Sequence, residues 1–167
     1  YYGGEVHVFS AAYSEASLRE ILLLADHVVF NSCSQWLRFQ PLLRSARSHR
    51  PQLRFGLRIN PEHSEGAVPI YDPCAPGSRL GIPLSQLDES ALDGISGLHF
   101  HTLCEQDFPP LQRTLAAVEE KFGHLLAREF GYGVPSLDRA LKSARSDLAL
   151  ISQAKIQPFI MPTKPGK

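Results

Sequence analysis

Lysine is absent from residues 1–120; the five in the chain are Lys121, Lys142, Lys155, Lys164 and Lys167. Any mechanism that needs a lysine amine on an early strand is therefore excluded. Net charge is lacking as well, because 17 Lys and Arg residues balance 17 Asp and Glu residues. With no field to hold a polyanion and no basic run to mark a nucleic-acid or membrane face, neither is expected as a partner. Cysteine is scarce and odd in number: Cys33, Cys74 and Cys104 are widely spaced and form no CxxC motif. That pattern suits reduced thiols rather than a disulfide framework or a zinc ribbon. Long apolar runs are missing too. The most apolar stretch, around residues 21–24, falls far short of the roughly 20 residues that cross a bilayer. No charged-then-apolar signal segment opens the chain, so a soluble cytoplasmic protein is expected.

What is present is enough apolar material for one ordinary domain: 43% of 167 residues are hydrophobic, which suffices for a real core. Residues 5–9 alternate valines with polar residues and read as a strand. Ser17 and Glu20 stand at capping-box spacing ahead of the apolar residues 21–24, predicting a helix there. Residues 27–30 are again short, β-branched and apolar. They lead into a helix over 34–48, with Trp36, Leu37, Leu42 and Leu43 on its apolar face and Pro41 either starting or kinking it. Residues 53–59 and 97–101 predict the third and fourth strands, and a helix follows over about 110–126, where Leu111, Leu115, Val118 and Phe122 recur at helical spacing. The order βαβαβ…βα argues for parallel strands joined by crossover helices. Residues 61–94, rich in Pro, Gly and Ser, form a connection long enough to suggest a functional loop, with a short helix expected over 85–92.

Chemistry-bearing residues gather where strands are expected to end. His99 and His101 are two apart on a predicted strand, so both imidazoles would share a face. They offer a two-histidine metal edge, for which His63, Cys104 and Glu105 are candidate further ligands, but no recognisable ligand spacing supports it. Arg58 lies among apolar residues on a strand expected to be buried, and a buried guanidinium needs an acceptor. An internal salt bridge and a ligand contact both satisfy that need. The stretch of residues 71–82, YDPCAPGSRLGI, combines prolines and glycines with Ser78 and Arg79, as either a ligand-approaching loop or a rigid turn would.

Taken in order, GLRINPEHS (56–64), YDPCAPGSRLGI (71–82) and GISGLHFHTLCEQ (94–106) resemble segments of carboxynorspermidine (carboxyspermidine) decarboxylases. These are relatives of ornithine and diaminopimelate decarboxylases with the alanine racemase-like fold. GGEVHVFSAAY (3–13) and VVFNSCSQW (28–36) fit the same family, so the resemblance spans about residues 1–126. It implies an α/β fold in which residues 1–127 make a partial (βα) TIM-type barrel with parallel strands. It also implies pyridoxal 5'-phosphate at the carboxyl ends of those strands, a small polyamine precursor as substrate, and a homodimer with shared active sites. By the same resemblance His101 would stack on the cofactor ring and Arg58 would lie behind it. Cys104 and Glu105 would line the phosphate or substrate pocket, and they are the candidate catalytic groups. Ser78 and Arg79 would sit in the family's loop near the substrate. Glu62, Asp72 and Glu105 are the candidates to hold the substrate's remote ammonium.

The chain departs from that pattern in the parts the chemistry needs. The family's cofactor-binding lysine belongs to the first barrel strand, which is expected upstream of residue 1. The glycine-rich phosphate loop, the acidic partner of the pyridine nitrogen and the cysteine shared across the dimer are not found after residue 126. Residues 128–159 instead resemble weakly a segment near the end of subtilisin-like peptidases, without any triad motif. Residues 128–167 are therefore expected to be a separate helical segment, capped by Ser136, with a frayed tail. The expectation is an incomplete, inactive portion of a decarboxylase. The rivals are a metal-dependent hydrolase built on His99 and His101, and a non-catalytic barrel fragment that associates through its exposed sheet edge.

Overall fold

Four short apolar runs become strands because each is flanked by residues that start a helix or a turn. In the computed structural model, which describes residues 3–66, 68–103 and 106–128, β1 is His7–Phe9, β2 is His27–Phe30, β3 is Arg54–Arg58 and β4 is Gly97–His99. All pair in parallel in the order β1-β2-β3-β4. Strands laid down consecutively, without the reversal of a doubly wound sheet, are the winding of a βα barrel. The chain divides into two units, Tyr1–Val134 and Pro135–Lys167. The second unit, with the helix expected from Ser136, lies outside the described residues.

Three helices supply the crossovers and the final layer: α1 is Glu15–Leu24, α2 is Cys33–His49 and α3 is Phe108–Arg128. The cap of α1 is Ser14, whose hydroxyl accepts from the Ser17 amide at 3.1 Å. The capping box read on Ser17 and Glu20 is thus corrected: both lie within the helix, and the residue that leaves helical φ/ψ is three positions earlier. Helix α2 begins at its Ser32 cap and runs through Pro41, so this proline neither starts it nor stops it; it provides no N–H for the carbonyl of Leu37.

The core lies between one face of the sheet and the helices. Leu18 and Leu22 of α1, Trp36, Phe39 and Leu43 of α2, and Val118, Phe122 and Leu125 of α3 join Val28, Phe30, Phe55 and Leu57 in one buried cluster. Phe30, Trp36 and Phe55 form an aromatic triad with centroids 5.5–6.2 Å apart. The Trp36 indole donates to the Ala91 carbonyl at 2.8 Å, anchoring the long β3–β4 connection to α2.

That connection contains no α-helix among its described residues. Residues 85–92, expected as a short helix, make two separate 3-10 turns, Leu84–Gln86 and Glu89–Ala91. Asp88 interrupts them because its carboxylate caps the Ser90 amide at 3.0 Å, as short acidic side chains do when they compete with helical hydrogen bonds. The loop then returns to the sheet, where the Asn60 amide donates to the Ile82 carbonyl at 2.8 Å and the Ile82 amide to the Arg58 carbonyl at 2.9 Å. This pairing uses the edge of β3 that faces β2, beyond the last β2 partner Phe30, while the Ile59 amide on the other edge still donates to the His99 carbonyl at 2.8 Å. Strand β4 stops at His99 rather than continuing to residue 101, and His101 lies past its end.

Candidate functional site

Arg58 ends β3, His99 ends β4, and the two are register partners. Phe9 ends β1 on the same face; its ring stacks on His99 with centroids 5.6 Å apart, and the Arg58 guanidinium carbon sits 4.7 Å from its centroid. Arg58 is only 5% exposed, and its Nη2 donates to the His101 carbonyl at 3.2 Å. The strand-end guanidinium and the post-strand histidine therefore meet at one sheet edge. Burial lowers the Arg58 pKa, yet a guanidinium remains charged across the physiological range. Burial first, then the neighbouring Arg58 and His101, holds His99 below the usual imidazole value, favouring a neutral ring.

A cavity of about 680 Å³ opens over this edge, lined among others by Arg58, Ser64, Glu65, Tyr71, His101, Thr102 and Gln106. Three polar atoms on its lining residues, Arg58 Nε, Thr102 Oγ1 and Gln106 Oε1, are themselves buried with no hydrogen-bond partner. Unpaired buried polar atoms are costly and rare; three on the residues of one wall single it out as a place short of polar partners. The wall is braced from α3, where Arg113 donates to both Glu65 oxygens at 2.6 and 2.7 Å, and from the segment before it, where Gln106 Nε2 donates to the Glu65 carbonyl at 2.6 Å. The Arg113 hydrogen bonds, with His63 adding to them, hold the Glu65 carboxyl down at about 2.

No protein-family model matches the chain. A carboxyaminopropylagmatine decarboxylase from Synechocystis is 40% identical over 125 residues, which is 75% of this chain and 31% of that protein. A carboxynorspermidine/carboxyspermidine decarboxylase from Campylobacter jejuni is 39% identical over 123 residues, covering 74% of this chain and 30% of the relative. Another from Herminiimonas arsenicoxydans is 34% identical over 128 residues. The crystal structure of carboxynorspermidine decarboxylase from Campylobacter jejuni, complexed with norspermidine, superposes with a TM-score of 0.60 at 28% identity, over 89% of this chain and 38% of that one. The chain is homologous to the carboxy(nor)spermidine decarboxylases. It spans about 30% of the length of these curated relatives, and its sheet is the corresponding part of a barrel fold.

The other residues singled out by likeness to the decarboxylases fall in different places. Ser78 faces its own loop, donating to the Pro73 carbonyl at 2.6 Å and accepting from the Leu80 amide at 3.2 Å. The Arg79 side chain is exposed, and its carbonyl accepts from Asn31 Nδ2 at 2.7 Å. Asp72 caps the Cys74 amide at 2.7 Å, and burial pushes the Cys74 thiol up. Glu62 has a left-handed φ of 52° and pairs with Lys121 at 3.0 Å. At this loop it is Tyr71, Pro73 and Leu80 that line the cavity. Cys104 and Glu105 lie outside the described residues. His99 and His101 gather no third metal ligand among the described residues, and His63, once a candidate for that role, bonds Glu65 at 3.1 Å.

Sequence reasoning missed Phe9, Glu65, Thr102 and Gln106. Thr102 and Gln106 lie inside the motif of residues 94–106, and their polarity beside a strand end was the available signal. Phe9 ends the first strand just as Arg58 ends the third, a parallel that becomes visible only once the register is known.

Proposed function

We propose that this segment forms one wall of the pyridoxal-phosphate site of a carboxy-lyase that decarboxylates carboxynorspermidine or carboxyspermidine in polyamine synthesis. The observation that carries the reading is the junction of Arg58 and His101 at a strand-end cavity with three unpaired buried polar atoms. Homology to decarboxylases supports the chemistry. Likeness to a relative complexed with norspermidine supports the substrate class. The family's homodimer and cytoplasmic setting belong to the same reading; no helix among the described residues is long and apolar enough to cross a membrane.

The residues present fit the cofactor in part. When bound, pyridoxal phosphate supplies an electron-withdrawing ring that takes up the electron pair left by departing carbon dioxide. His101 would lie against that ring and limit its tilt. Arg58, fixed by Phe9 and by the His101 carbonyl, would present its free Nε–H to a polar group of the ligand. Thr102 and Gln106 would offer a hydroxyl and an amide oxygen in the same wall. Lys121, the only lysine among the described residues, is engaged by the Pro61 carbonyl at 2.8 Å and by Glu62, so covalent attachment of the cofactor is not part of what these residues do. Ser78, Arg79, Glu62 and Asp72 remain in the proposal as residues of the substrate side, and Cys104 and Glu105 as those that follow the stacking histidine.

The test is carbon dioxide release from carboxynorspermidine, with added pyridoxal phosphate, by the protein carrying this segment. Misplacing a cofactor costs on the order of a hundredfold, so His101→Ala and Arg58→Ala should each lower kcat/KM by about that factor. Turnover that both variants leave unchanged would remove the reading.

A further inference from the structure

Phe9 ends β1, and it is not among the residues that line the cavity, whereas Arg58 and His101 are. Its ring nonetheless touches the residues that end two other strands. The Arg58 guanidinium carbon stands 4.7 Å from its centroid, and the His99 imidazole stacks on it with centroids 5.6 Å apart and planes 16° from parallel. Strand β1 neighbours neither β3 nor β4, so these contacts reach across the sheet. The row that Phe9 shares with Val29 continues into Gly56 and Gly97, which carry no side chain to hold the ring away. On the reading of the cavity as the pyridoxal-phosphate site, we propose that Phe9 is a positioning residue for the decarboxylation: it fixes the plane of the Arg58 guanidinium and, through it, the backbone of His101.

Arg58 is buried, and its Nη2 donates to the His101 carbonyl at 3.2 Å, while Nε has no partner. A hydrogen bond at one corner of a planar fork leaves the plane free to swing about that corner. An aromatic face removes that freedom by attracting the cation from above, and it uses none of the N–H groups that point outward along the edge of the fork. A carboxylate would fix the plane as well, but a bidentate pair would occupy two of those donors. Burial strengthens the contact with the ring, since a desolvated cation is drawn to it more than an exposed one. His99, held toward its neutral form, closes on the same ring without bringing a second cation beside Arg58. Because Arg58 holds the His101 carbonyl, a swing of the guanidinium shifts the residue whose imidazole would lie against the cofactor, and small misplacements of this kind cost rate.

Phe9→Leu keeps an apolar side chain and removes the aromatic face; Phe9→Tyr keeps the face. In the protein carrying this segment, Phe9→Leu should lower kcat/KM for carboxynorspermidine by about tenfold, and Phe9→Tyr should retain most of it. In an Arg58→Met background, Phe9→Leu should cost nothing further. In the protein without cofactor, the Arg58 Nε–H proton resonance should lie upfield through ring shielding in the parent and in Phe9→Tyr, and move downfield in Phe9→Leu. A loss from Phe9→Leu of the same size with and without Arg58, as packing alone would give, overturns the proposal, as does a resonance that Phe9→Leu leaves in place. If Arg58→Met itself leaves turnover unchanged, the cofactor-site reading falls and the role of Phe9 with it. If Arg58→Met lowers turnover and Phe9→Leu does not, the role of Phe9 falls alone.

Discussion

Gly81→Ala tests whether the long loop must come down on the end of β3 as described. Gly81 has a φ of +82°, and a Cβ there would lie 2.7 Å from the Ile59 carbonyl oxygen, 2.8 Å from its carbon and 3.1 Å from the Asn60 nitrogen. All three are backbone atoms of the segment that carries Arg58, so no side chain can rotate aside. The left-handed conformation costs an alanine about 1–2 kcal/mol, and forcing atoms into a packed contact adds about 1–3 kcal/mol. Gly77→Ala is the internal reference: its φ is +79°, but nothing lies within 4 Å of the added carbon. Both variants restrict the unfolded chain equally, so that contribution cancels in the difference. Urea unfolding should therefore show Gly81→Ala less stable than Gly77→Ala by about 1–3 kcal/mol. Two variants within about 0.5 kcal/mol of each other, the scatter expected of substitutions that meet no special feature, would mean that the loop does not rest on β3.

Two further tests address the braces around the site. Trp36→Phe removes the buried donor to the Ala91 carbonyl and should cost about 1–3 kcal/mol in the same unfolding experiment; an unchanged midpoint would argue against the anchor. The Glu65 carboxyl, held at about 2 by Arg113 and His63, titrates below its unfolded value. Its stabilising contribution is full above the ordinary carboxylate pKa of about 4.3 and is lost as pH falls toward 2. Stability should decline over that window, and Arg113→Gln should flatten the decline; a Glu65 titration midpoint near 4.3, followed by carboxyl NMR in the parent protein, would refute the pairing.

The parallel architecture was legible because each strand is a short apolar run that precedes an amphipathic stretch, and local pattern is enough for that. The helix over 110–126 was readable from Val118 and Phe122, although Thr114, buried at 1% exposure, breaks the apolar pattern. Details that depend on distant partners were not legible. Whether residues 85–92 form one helix or two turns depends on Asp88 choosing the Ser90 amide. The place where the long loop rejoins the sheet depends on Ile82 meeting the edge of β3 beyond the end of β2. For the site, Arg58 and His101 could be picked out by residue type and motif. Their junction through a backbone carbonyl rather than through the imidazole could not, because no sequence pattern encodes a bond to a main-chain oxygen. Glu62 and Asp72 read as ligand groups for the same reason in reverse: their local partners, Lys121 and the Cys74 amide, are invisible to composition.

The register explains why one stretch of sequence can build a core and a site at once. On one face of the sheet, Val28 pairs with Phe55 and Phe30 with Leu57, and these meet the helices in the core. On the other face the rows run His7, His27 and Arg54, then Phe9, Val29, Gly56 and Gly97, then Arg58 and His99. The middle row is slim where Gly56 faces Gly97, for a Cβ on Gly56 would come within 3.1 Å of the Gly97 carbonyl oxygen. The polar rows therefore stand at the two strand ends, separated by a row without a titratable group. Because side chains alternate with a period of two, slipping any strand by one residue would exchange the faces. Burial of Phe30, Phe55 and Leu57 in the core is thus what directs Arg58 toward the cavity and His99 to the face beside it, and the chemistry of the site is held in place by the hydrophobic packing behind it.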